Sequence, residues 1–154
     1  MNQDHFLNIL NSAHEIILKQ YPTAKFMNFQ RDLKLLGTPW IFTFRNEKND
    51  ILLKYFDGTG FAAPELVGIT LGLQPIPLLI GLTDAKKMIN FTPVSEALYW
   101  ALNPNVIEPI YVFTGGDQSA FVGAYDGAVT YVKTGLPVVP TATPATVPPA
   151  LTTL

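Results

Sequence analysis

The chain contains no cysteine, which removes a disulfide scaffold, a thiolate metal site and a cysteine nucleophile together. Charge is sparse. Charged residues make up 14% of the 154, with 10 Lys plus Arg against 12 Asp plus Glu for a formal net charge of -2. The cations stand singly apart from Lys86-Lys87, a poor match for a polyphosphate backbone, so no nucleic acid is expected as a partner. Long apolar runs are missing too. The most apolar stretch, Leu66 to Leu82, is interrupted by Gln74, Pro75 and Pro77 and is too short and broken to span a bilayer as a helix. The first residues have no basic n-region, and His14, Glu15 and Lys19 interrupt them where a secretory signal needs an apolar core. These features predict a soluble protein with no membrane span, cytoplasmic by default, with an extracytoplasmic place still open.

Chemical motifs are also lacking. HExxH, GxSxG, a P-loop and a dinucleotide fingerprint do not occur, and Gly115-Gly116 falls between two strands, where it reads as a hairpin turn. His5 and His14 are nine residues apart, which on a helix turns them about half a revolution away from each other, so they cannot share a metal, and each is expected to be a solvated helix residue. Asp57 and Asp126 each precede a glycine, and ordinary turn chemistry explains them better than a paired acid and base. Ser119 has no base near it in sequence. No catalytic, metal or cofactor-binding residue is assigned.

What the chain does have is internal likeness. TPWIFTFRNEKNDILLKYFDGTGF, from Thr38 to Phe61, is echoed by EPIYVFTGGDQSAFVGAYDGAVTYV, from Glu108 to Val132. In each, a proline (Pro39, Pro109) opens an aromatic strand, a polar turn follows, and a second strand runs into Asp57-Gly58 or Asp126-Gly127. Ahead of the first copy, Phe6, Ile9, Leu10, Ala13, Ile16, Ile17 and Tyr21 have helical spacing, with Asn2 or Asp4 to cap the start and Pro22 to stop it. Met27, Phe29 and Leu33 alternate with Asn28, Gln30 and Asp32 as a half-buried strand. Trp40, Phe42 and Phe44 share the core face of the next strand, beneath the helix.

Ahead of the second copy, Thr83 can cap a short helix with Leu82, Ala85, Met88 and Ile89 on its apolar stripe, ending near Pro93. Ser95 to Leu102 then sets propensity, which favours helix, against the repeat, which requires a strand. The strand is expected, with Glu96, Leu98, Trp100 and Leu102 on one face. The domain is therefore expected at 1–135, as repeats 4–61 and 82–133 joined by an ordered, largely buried apolar crossing at 62–81. A Pro/Thr-rich tail at 136–154, uncharged and without periodicity, is expected to be extended or disordered.

On the aromatic strands and their Asp-Gly turns, residues 4–133 resemble the PepSY domain and the related β-lactamase-inhibitor-like proteins. The resemblance implies a non-enzymatic binding or inhibitory module, although the export signal usual in that group is missing. The fold class expected is α+β, two helix-plus-three-strand repeats forming one antiparallel sheet with helices on one face. The uncovered face is expected to recognise a protein or peptide through Tyr99, Trp100, Tyr111, Tyr125 and Tyr131, because tyrosine joins contact area to a hydrogen-bonding tip. Two alternatives stand beside this: a self-associating structural protein, such as a homodimer burying the same face, and a small hydrolase or isomerase with a pocket between the repeats.

Overall fold

The computed structural model describes residues 4–77 and 80–133, so the expected tail at 136–154 lies outside the described residues. The first helix, α1 (His5–Gln20), starts where Asp4 accepts the Leu7 N–H at 3.3 Å and ends just before Pro22. It buries Phe6, Ile9, Leu10, Ala13 and Ile17, the stripe its spacing dictates. Four strands follow, β1 (Lys25–Asp32), β2 (Trp40–Arg45), β3 (Asp50–Phe56) and β4 (Gly60–Phe61). Next come β5 (Glu65–Val67) and a single-turn helix, α2 (Leu82–Lys86). The remaining strands are β6 (Ser95–Tyr99), β7 (Ile110–Gly115), β8 (Gln118–Gly123) and β9 (Val129–Lys133). Ser95–Tyr99 is thus a strand despite its helical composition, since pairing on both sides with β1 and β7 outweighs local propensity.

All nine strands form one antiparallel sheet in the order β4-β3-β2-β1-β6-β7-β8-β9, with β5 also paired to β3. Register assigns the two faces, because residues directly opposite in an antiparallel pair share a face. Leu53, Phe42, Phe29, Leu98, Tyr111 and Val122 form one continuous row, all buried beneath the helices. Phe6 is the hub of that layer, its ring 5.0 Å from Phe29, 6.0 Å from Phe42 and 6.3 Å from Tyr111.

Four expectations require correction. The sheet has nine strands where two three-strand units supply six, because short β4 and β5 add to the β3 edge and β9 extends the other end. The register shifts at a bulge between Phe26 and Asn28, so Phe26, which simple alternation puts on the other face, joins Phe29 in the core cluster, while Met27 is fully buried at the bulge as expected. Among its described residues the crossing is not largely buried. Leu66, Ile69 and Leu71 are exposed, Leu71 at 87%, because residues 65–67 extend the sheet edge, and burial returns at Ile76. Thr83 does not cap α2; the cap residue is Gly81, and the Asp84 N–H donates to Asp4 Oδ2 at 2.9 Å. Asp4 therefore holds the first turns of both helices. Gly81 permits this, since a Cβ there would come within 2.2 Å of Asp4 Cγ.

Candidate functional site: the helix-free sheet face

Opposite the core row, register aligns Leu52, Thr43, Asn28, Tyr99 and Ile110 on the other face, with Gln30, Ala97, Val112 and Phe121 as a second row. No helix covers this face among the described residues. A cleft of about 550 Å³ lies on it, floored by Asn28, Gln30, Thr43, Leu52, Ala97 and Tyr99 and walled by Val67, Gly68, Thr70 and Leu73 of the crossing. That size lies within the range of small-molecule and side-chain pockets. Its floor carries amide, hydroxyl and phenol groups and no formal charge.

One buried carboxylate holds the wall in place. Asp50, its side chain fully buried, accepts from Arg45 Nε at 2.6 Å and Nη2 at 3.3 Å, and from the Thr70 N–H at 2.8 Å. Arg45 Nη2 also donates to the Thr70 carbonyl oxygen. Burial by itself pushes the Asp50 carboxyl up, but the Arg45 guanidinium and the Thr70 amide together outweigh it and hold the group below the ordinary carboxylate range. Farther along, the Leu102 N–H donates to Gly72 O at 2.7 Å and the Gln74 N–H to Trp100 O at 3.0 Å. The crossing is thereby tied to the sheet at both ends of the cleft.

The five aromatic residues expected to form a surface do not share a face. Tyr99, 36% exposed, is the member that stands on the cleft. Tyr111 must be withdrawn from any surface. It is 1% exposed in the core row and donates its hydroxyl to Ile80 O at 2.5 Å. Burial, then the charges of Asp4 and Asp84, push its phenol far above the ordinary range, so it stays a donor. Trp100 is half-buried, with Nε1 donating to Val106 O at 3.1 Å and its ring edge-on to Tyr125 at 5.9 Å. Tyr125 is 42% exposed in the turn beyond β8. Tyr131 pairs with buried Ala120, so it stands on the helix side, its ring 6.4 Å from Phe91.

The Arg45–Asp50–Thr70 link is not apparent from the sequence, where Asp50 stands at the end of the polar turn between two strands. The available signal was opposite charges flanking a tight hairpin. His14 is likewise not a solvated residue, because its Nε2 lies 3.1 Å from Ala24 O and its ring stacks on Phe44. Asp126 behaves as turn chemistry requires, its Oδ1 accepting from the Ala128 N–H, whereas Asp57 instead binds Arg31 Nη2 at 2.6 Å.

A second polar cluster lies on the helix side at the opposite end of β1. Glu96 is 2% exposed and faces inward beside Leu98; Lys86 Nζ lies 2.6 Å from its Oε1 but off the line a hydrogen bond requires. Across the strand pair, Arg31 sets its guanidinium 4.7 Å from the centre of the Trp40 ring. Both Glu96 oxygens, Arg31 Nε and Trp40 Nε1 are buried without a hydrogen-bond partner among the described residues. These contacts pack a charged pair into the core edge.

No protein-family model matches the chain, and no curated protein matches it. Its fold is similar to that of a protein from Clostridium difficile 630 described as a "putative lipoprotein", whose crystal structure superposes with a TM-score of 0.64 at 14% identity. The match covers 80% of this chain and 91% of the other. At that identity it establishes a common fold and nothing about shared chemistry. No helix of the described residues is long and apolar enough to cross a membrane.

Proposed function

We propose that the chain is a non-enzymatic binding module that takes an extended segment of a protein or peptide against the helix-free face of its sheet. The observation that carries this reading is the cleft between the crossing and the uncovered strands. It offers amide and hydroxyl groups of both hydrogen-bonding senses beside the Tyr99 ring and the Leu52 side chain. Such a floor suits peptide backbone with small side chains better than it suits a charged ligand. A hydrolase or isomerase would need a nucleophile or paired acid and base at the cleft, and its floor supplies amides, one aliphatic hydroxyl and one phenol in their place.

We further infer that the sheet arose by doubling of one unit and that the PepSY-like resemblance extends to it. Support comes from strand order, which outward from the central β1–β6 pair runs β2-β3-β4 on one side and β7-β8-β9 on the other. A neighbour described as a lipoprotein favours an extracytoplasmic setting over the cytoplasmic default. With no cysteine in the sequence, no thioether- or thioester-linked lipid can sit on these residues.

The test is selection of displayed peptides on the full chain, followed by affinity measurement on two variants. Ala97→Arg places a long side chain in the middle of the cleft and is expected to abolish binding. Leu36→Ser, at an exposed loop on another part of the surface, is expected to leave it unchanged. Peptides that bind both variants equally well would overturn the assignment.

A further inference from the structure

On the opposite side of the molecule, a second and more apolar pocket of about 390 Å³ opens between α1 and the crossing, lined by Leu10, Asn11, His14, Lys25, Phe26 and the Pro75-Ile76-Pro77 segment. The sequence explains why it is preformed. Gln74 and Ile76 each precede a proline and are driven extended, and the prolines fix their own φ. The Ile76 N–H is spent on Phe26 O at 2.8 Å. Pro75 and Pro77 have no N–H, so this wall exposes no unused backbone donor to an apolar occupant. The floor is closed, because beneath Leu10, Phe26 and Ile76 the packing leaves only about 10 Å³.

The polar groups gather at the mouth. His14 is held by the Ala24 carbonyl and by its stack on Phe44. Asn11 and Lys25 are exposed, and Lys25 is the one formally charged residue of the lining, making no ion pair with a carboxylate among the described residues. We propose that this pocket binds a small anionic amphipath, an aliphatic carboxylate of medium chain length. Its chain lies against Pro75 and Pro77, over a floor closed by buried Leu10, Phe26 and Ile76, and its carboxylate meets Lys25 and the Asn11 amide. The charge of the lining selects the head, and the closed floor limits the chain. This site is separate from the helix-free face and does not depend on the role assigned there.

Titration of the full chain with octanoate and with octylamine, followed by calorimetry and by amide chemical shifts, tests it. Octanoate is expected to bind saturably and to move the resonances of Asn11, His14, Lys25 and Ile76, with octylamine at least about tenfold weaker. Lys25→Gln is expected to weaken octanoate about tenfold, the worth of one charge-assisted hydrogen bond. Asn11→Trp, at an exposed helix position where folding is not at risk, is expected to close the mouth and abolish binding. No saturable octanoate binding, equal affinity for octylamine, or shifts confined to residues outside this pocket would each overturn the proposal.

Discussion

Asp50 and Glu96 are both carboxylates buried at the ends of strands, and they differ in how their charge is met. Asp50 has two guanidinium bonds and one backbone amide, and its carboxyl is held low. A group whose folded value is depressed contributes stability that is complete above its unfolded value, about 3.9 for aspartate, and lost as pH falls through the lower folded value. Asp50→Asn is therefore expected to lower stability at neutral pH and to flatten its decline with acid below about pH 5. Urea unfolding at a series of pH values reads both effects. Glu96 has one ammonium and, among the described residues, no hydrogen bond. Lys86→Ala leaves its charge buried and uncompensated, at an expected cost of about 2–4 kcal/mol, the lower part of the usual range because Lys86 is partly solvated. Replacing both by leucine is expected to match or exceed the parent in the same denaturation assay, since buried ion pairs seldom outperform apolar packing of similar volume.

At the scale of the element, caps show what a linear sequence can and cannot disclose. Asp4 was visible, alongside Asn2, as a cap for α1, because an acceptor before a helical stripe has a local cause. Its second task, receiving the Asp84 N–H, depends on contact between segments far apart in the chain, and Thr83 was the local answer to a question settled at long range. Asp4→Ala is accordingly expected to cost about 2 kcal/mol, toward the top of the range for a single cap. Thr83→Ala is expected to stay within about 0.5 kcal/mol, as for surface substitutions generally. Thermal unfolding of the two variants separates the assignments. The same reasoning covers the strands. Trp40, Phe42 and Phe44 were readable as core from period alone, and all three are buried. The bulge near Phe26 was not readable, because one inserted residue leaves both parities plausible until a partner strand chooses. The tyrosines misled for a related reason. Alternation reports which residues share a face within one strand, but not which face of another strand lies beside it, and Tyr111 is fixed in the core row by Leu98 and Val122.

For the whole molecule, the question is whether the two sides of the sheet stand or fall together. They meet at the β1–β6 pair, and the core crosses that seam, since Phe6 of one helix touches Phe42 on one side and Tyr111 on the other. Asp4 adds a polar tie between the helices, and the crossing is bonded to β1 and to Trp100. No surface in this arrangement separates into two cores, so unfolding is expected to be one cooperative transition, as in most single domains of this size. The chain supplies its own reporters: of its 2 tryptophans, Trp40 stands in β2 and Trp100 just beyond β6, one on each side of the seam. In Trp40→Phe and Trp100→Phe, each with one emitter left, fluorescence should give urea midpoints that coincide with the far-ultraviolet midpoint of the same variant. A Trp100 signal that changed well before the helical signal would mean that the β6–β9 side opens alone, and the shared core argued from Phe6 would have to be given up.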